Sequence, residues 1–165
     1  MATIMKNLSD YDPDIIPSAA GMQIGIVVSE WNSGITGNLL QGSIDTLIRH
    51  HAEKDHIAIT HVPGSFELTS GAKILADTGK FHGIICIGCI IRGETPHFDY
   101  ICQSVTQGIT LLNAQYQIPF IFGVLTVNNH QQAKDRAGGK YGNKGDEAAI
   151  TAIKMISLQK ETTER

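Results

Sequence analysis

The chain has 165 residues, 42% of them hydrophobic and 18% charged, with a formal net charge of −3. A unit of that length can bury a sizeable core, and with no basic surplus to meet phosphates, a nucleic-acid partner is not expected. No apolar stretch reaches the length of a membrane span, residues 1–20 lack the hydrophobic core of a secretory signal, and three cysteines are too few for a disulfide framework. No membrane association is therefore expected, and the cytoplasm is the expected location.

In chain order, residues 1–21 carry Pro13, Pro17 and Asp-centred turns without sustained periodicity, and are predicted to form an N-terminal arm. Residues 22–165 are predicted to form a single α/β domain. Four apolar runs rich in β-branched residues, 24–28, 57–62, 84–91 and 120–125, have the pattern of parallel strands covered on both faces. Helical spacing lies between them. Leu40, Ile44, Leu47 and Ile48 make one stripe, and Ile101, Val105, Ile109 and Leu112 another. Weaker helical patterns cover Ser65 to Asp77 and Asn129 to Arg136, and a last helix begins at Asp146 with Ala149, Ile153 and Ile156 inward. The polar residues Gln159 to Arg165 form its fraying end. Alternating strand and helix predicts a doubly wound sandwich, whose ligand site gathers outside the carboxyl ends of the strands.

Four loops then matter: those after Ser29, Val62, Ile91 and Thr126. The first carries Trp31, the sole Trp, which either closes the core or stacks on a ligand beside Asn32. The second, Pro63-Gly64-Ser65-Phe66-Glu67, reads as a turn in which Ser65 caps the next helix. Glu67 is either a first-turn partner of the helix dipole or an acceptor for hydroxyl groups. The third crowds Arg92, Glu94, Thr95, His97 and Asp99 into one short segment. There, backbone N–H groups near Glu94 and Thr95 can face an anion, and His97 is either an exposed imidazole or one placed to move protons near neutrality. The fourth leads to Arg136, whose fork suits phosphate. Glycine-rich residues 138–145 fail the phosphate-loop pattern and are predicted to join two helices.

Two further patterns carry no chemistry. Cys86 and Cys89 spell a CxxC inside a predicted strand, where three-residue spacing points the thiols to opposite faces. His50, His51, His56 and His61 lack metal-ligand spacing, so no metal site is expected.

The run Ile91-Arg92-Gly93-Glu94-Thr95-Pro96-His97-Phe98-Asp99-Tyr100 resembles the lumazine synthase family. Pro63-Gly64-Ser65-Phe66-Glu67, Phe122-Gly123-Val124-Leu125-Thr126 and the segment from Arg136 to Gly145 support the resemblance, which runs from about Gln23 to the last helix. It implies a flavodoxin-like sheet, small-molecule substrates, no metal or redox cofactor, and an active site shared between neighbours in a pentameric ring. It also implies that rings can close into an icosahedral shell, and names riboflavin synthase as a partner. The implied reaction joins a ribityl pyrimidine to a four-carbon sugar phosphate.

Carried over residue by residue, the resemblance gives His97 proton transfer and Trp31 stacking on the pyrimidine. Ser65, Phe66 and Glu67 hold the pyrimidine and its ribityl chain, and the backbone of Cys89, Ile90 and Ile91 reads the pyrimidine edge. Glu94 and Thr95 form the phosphate turn, while Phe122 and Arg136 come from the adjacent subunit, with Lys144 a weaker member of the same charge cluster. Cys89 stands where Thr is commoner, a change that a backbone contact tolerates. Glu94 places a carboxylate near phosphate, which is acceptable only if its N–H alone is used. A pentameric riboflavin synthase, a flavin-binding protein and a purely structural shell protein are the competing readings. An activity assay with both substrates separates them.

Overall fold

A computed structural model describes Asn7 and residues 9–163. Most of the predicted arm's first eight residues, and the last two residues of the predicted tail, lie outside that range. The strands are β1 (Ile24–Ser29), β2 (Ile57–Val62), β3 (Gly83–Ile91) and β4 (Phe120–Val127), all parallel in the order β2-β1-β3-β4. The helices are α1 (Ser33–Arg49), α2 (Leu68–Asp77), α3 (His97–Gln115), α4 (His130–Asp135) and α5 (Lys144–Thr163). The α/β class and the doubly wound, flavodoxin-like order both follow.

Period-two alternation splits the sheet's side chains between two cores. Ile24, Ile26, Val28, Ile85, Ile87 and Ile121 meet α1, α4 and α5 on one face. Val27, Ile84, Cys86, Phe120 and Val124 meet α2 and α3 on the other. Cys86 and Cys89 fall in different cores, as their spacing requires. β2 departs from the fully covered expectation: it is an edge strand, only its Val62 is buried, and Ile59 is 43% exposed.

The α1 stripe is rotated from the predicted one. Leu39, Ser43, Thr46 and Leu47 face inward, while Leu40 and Ile44 are only partly buried. The cause is close packing on α5. Ser43 Oγ donates to the Gly145 carbonyl at 2.9 Å, and a Cβ on Gly145 would collide with the Leu39 carbonyl. Small polar residues thus occupy the centre of an interface that a hydrophobic pattern places elsewhere. On α3, Val105, Ile109 and Leu112 are buried as predicted.

Three local readings are corrected. Ser65 does not cap α2: residues Ser65–Glu67 form a 3-10 turn begun by Gly64, and α2 follows at Leu68. The glycine-rich segment is not a plain connection but a small antiparallel hairpin, β5 (Ala137–Gly139) and β6 (Gly142–Asn143). Gly138 and Gly142 take φ values of 96° and 79° there, which glycine tolerates best. α5 begins at Lys144 rather than Asp146.

The described part of the arm lies along the first core. Ile16 and Ala19 are buried in it, Ser9 Oγ accepts from Asn143 N at 2.9 Å, and Gly21 N donates to Glu53 Oε2 at 3.0 Å. His50 is buried beside Tyr11, and His56 lies 3.3 Å from Glu53. Among the described residues no helix is long and apolar enough to cross a membrane.

Gly145→Ala is expected to cost about 1–3 kcal/mol of unfolding free energy by forcing α1 and α5 apart. Gly37→Ala, in α1 with open space around it, is expected to gain up to about 1 kcal/mol. Denaturant titration of both checks the packing: equal effects would mean that the helices are not in close contact.

Candidate active site

β1 pairs with β3 only from Gly83 to Ile87, whereas β4 accompanies β3 as far as Ile91. The β1–α1 connection turns to one face and the β3–α3 connection to the other, so a crevice opens between them. Past Ile87 the β1 side of β3 has no strand beside it. Backbone groups alternate sides along a strand, and those of Cys89 face the opening: its carbonyl accepts from Asn32 Nδ2 at 2.9 Å. Asn32 reaches it from a left-handed backbone conformation, φ 61° and ψ 41°, which Asn tolerates better than most residues.

The crevice encloses a cleft of about 460 Å³. Trp31 and Asn32 line it from β1, Gly64 to Glu67 from β2, Cys89 to Ile91 from β3, and His97 and Ile101 from α3. Of the predicted site residues it gathers Trp31, Ser65, Phe66, Glu67, Cys89, Ile90, Ile91 and His97. Trp31 is 69% exposed and Phe66 56%, so neither ring closes a core. The Trp31 ring lies against Gly64, where an added Cβ would come within 3.2 Å of it. Glu30 N and Trp31 N donate to the carbonyls of Val62 and Pro63 at 2.8 and 3.1 Å, binding the first two loops together.

Glu67 Oε2 accepts from Gly64 N at 3.0 Å. Among the described residues its Oε1 has no hydrogen-bond partner. Ser65 is buried against Gly88, whose missing side chain admits it: a Cβ there would lie 2.7 Å from Ser65 Oγ. Burial pushes the Cys89 thiol up to about 11 and that of Cys86 up to about 12. Both stay protonated at neutral pH and are poor nucleophiles. His97 is the first residue of α3, and its backbone N–H donates to Thr95 Oγ1 at 3.4 Å.

Four predicted site residues, and the weaker candidate Lys144, do not line this cleft. Glu94 and Thr95 sit exposed in the turn before α3. Phe122 is half-buried on β4 and borders a separate depression with Cys102, Thr106 and Thr126. Arg136 follows α4, donates from Nη1 to the Gln132 carbonyl at 3.1 Å and lies 4.9 Å from the centre of the Tyr141 ring. Lys144 pairs with Glu147 at 2.6 Å.

Residues 21–160 match the sequence profile of the 6,7-dimethyl-8-ribityllumazine synthase family. The chain belongs to that family. The 6,7-dimethyl-8-ribityllumazine synthase of Parabacteroides distasonis is 59% identical over 158 residues, covering 96% of this chain and 99% of that protein. Those of Phocaeicola vulgatus and Porphyromonas gingivalis are 56% and 54% identical, covering 98% and 97% of this chain and 96% and 99% of those proteins.

Asn32, Gly64 and Ile101 also line the cleft, although the sequence does not assign them to a site. Asn32 had a signal, its place beside Trp31 at a strand end. Ile101 had only the wrong one, since it continued a core stripe.

Trp31→Ala is expected to leave unfolding free energy within about 0.5 kcal/mol of wild type, as for surface substitutions away from special features. Ile87→Ala, within the fully buried stretch of β3, is expected to cost about 2–5 kcal/mol. Urea unfolding followed by circular dichroism checks both. Comparable losses would return the Trp31 ring to the core.

Proposed function

We propose that this chain condenses 5-amino-6-(D-ribitylamino)uracil with 3,4-dihydroxy-2-butanone 4-phosphate to give 6,7-dimethyl-8-ribityllumazine, the penultimate step of riboflavin biosynthesis. The observation that carries the reading is the cleft at the β1–β3 divergence, in a chain that matches the synthase family over residues 21–160. It combines an exposed aromatic wall, an unpaired strand end and an imidazole at its rim.

In this proposal the pyrimidine stacks on Trp31, and its polar edge meets the backbone at Cys89 and Ile91. The backbone groups of Ile90, between them, face β4 and leave only its side chain at the cleft. Ser65 and Phe66 hold the ring and the start of the ribityl chain, whose hydroxyls donate to Glu67. The phosphate of the second substrate sits on the N–H groups of Glu94 and Thr95, before the N-terminus of α3. The substrate amine attacks the ketone and water leaves as the imine forms. Phosphate is then eliminated, and ring closure releases a second water. His97 moves protons in these steps. Holding two substrates in register contributes up to about 7–11 kcal/mol, whereas one acid–base group gives roughly 10²–10⁴-fold. Positioning therefore dominates and His97 is secondary.

Phe122 and Arg136 lie away from their own chain's cleft, which supports a shared site: a neighbouring copy supplies the aromatic cover and the phosphate-gripping guanidinium. A head-to-tail ring presents one face of each subunit to a different face of the next. The proposed assembly is a pentamer, able to close into an icosahedral shell that associates with riboflavin synthase in the cytoplasm.

With both substrates, the protein is expected to form the lumazine and release inorganic phosphate in equal amounts. Absence of both products would overturn the proposal. His97→Ala is expected to lower kcat by roughly 10–10³-fold, within and below the usual acid–base range, with substrate affinities nearly unchanged. Steady-state kinetics decides; an unchanged kcat removes His97 from the mechanism.

A further inference from the structure

Arg92 follows β3 directly and is not among the residues lining the cleft. Its backbone N–H donates to the Val127 carbonyl at 2.9 Å, extending the β3–β4 ladder by one step. Its guanidinium then joins three segments. Nη2 and Nη1 donate to the two carboxylate oxygens of Asp99 at 2.9 and 3.4 Å. Nε donates to Asn128 Oδ1 at 3.3 Å, and Cζ lies 4.2 Å from the centre of the Phe98 ring. Phe98 and Asp99 belong to the first turn of α3, and Asn128 opens the connection from β4 to α4. A planar fork makes these contacts together: donors in its plane reach two acceptors while its face covers a ring. A lysine ammonium carries the charge without that geometry.

The side chains of the Arg92–Asp99 pair are 44% and 51% exposed. Exposed ion pairs contribute little to stability, so a stabilising role does not account for a guanidinium with this many partners. Its geometric role is larger. The exposed turn Gly93-Glu94-Thr95-Pro96 runs from β3 to α3, and Arg92 fixes both ends of it: the first by its backbone, the second through Asp99 and Phe98.

We infer that Arg92 is a positioning residue, clamping the first turn of α3 against the end of β3 so that the turn presents its N–H groups, and His97 its ring, at the cleft. The inference rests on the proposal that this turn takes the substrate phosphate. Small misplacements of such a turn are costly, because orientation accounts for much of the proposed catalysis.

The test uses the full-length protein and its Arg92→Lys, Arg92→Gln and Asp99→Ala variants. Inorganic phosphate serves as the competing probe, and quenching of Trp31 fluorescence reports pyrimidine binding. All three variants are expected to fold with near-wild-type melting temperatures. Their affinity for inorganic phosphate, and KM for the sugar phosphate, should weaken by roughly 10- to 100-fold, with pyrimidine affinity unchanged. Arg92→Lys should lose about as much as Arg92→Gln, and the Arg92→Lys/Asp99→Ala double variant no more than the worse single one. Wild-type phosphate affinity in Arg92→Lys, additive losses, or equal weakening toward both substrates would each overturn the inference. If inorganic phosphate fails to compete with the sugar phosphate in the wild type, the phosphate reading of the turn fails, and this inference with it. If the wild type binds phosphate and the Arg92 variants bind it equally well, only the role of Arg92 fails.

Discussion

The central constraint is that β3 outruns β1. A parallel sheet buried on both faces must pair its backbone groups, yet beyond Ile87 the β1 side of β3 has no strand to pair with. Asn32 meets one of those groups with its side-chain amide, at the carbonyl of Cys89. What remains is a rigid strand edge beside a cleft, supported from the other side by β4 up to Val127. A flat polar heterocycle is a natural occupant of such an edge, because fixed backbone groups read its rim at no entropic cost to side chains. The exposed rings of Trp31 and Phe66 then supply the apolar contact that a strand edge lacks.

The rest of the molecule keeps that edge in place. α1 and α5 approach so closely that Gly145 has no room for a side chain, and a buried serine hydroxyl ties them. On the opposite face, Gly88 lets Ser65 settle against β3, which seats the second loop at the cleft floor. The nearby thiols are chemically silent, since burial holds Cys86 and Cys89 protonated. Covalent catalysis by cysteine is therefore disfavoured within the cleft, and the proposed chemistry falls to substrate placement and to His97.

Much of this was legible in the sequence. β-branched runs located the four parallel strands, and the rule that ligands gather beyond strand carboxyl ends directed attention to four loops. Those after Ser29, Val62 and Ile91 bring residues to the cleft, and the one after Thr126 does not. The failures have physical causes. Hydrophobic periodicity misplaced the α1 face because Ser43 and Thr46, polar by type, are both buried, Ser43 where α1 and α5 nearly touch. Ser65 has the composition of a cap but spends its hydroxyl in a tight contact with β3. The hairpin of β5 and β6 depends on left-handed glycines, which composition reveals as flexibility but not as a turn. The Arg92 clamp was visible only as a crowd of charges, since which of them pair depends on the entry angle of α3. Nor does one chain contain the environment in which Phe122 and Arg136 are proposed to act.

The proposed completion of the cleft by the next copy around a ring can be tested directly by mixing subunits. Arg136→Ala and His97→Ala proteins, each impaired at every site, are unfolded and refolded together in equal amounts, and native mass spectrometry is used to verify hybrid rings. Random mixing in a head-to-tail ring puts both intact residues at about a quarter of the interfaces. A shared site predicts that activity rises toward about a quarter of wild type, above the mean of the two variants. Hybrid rings whose activity stays at that mean would contradict it, and would require His97 and Arg136 to serve the same site within one chain.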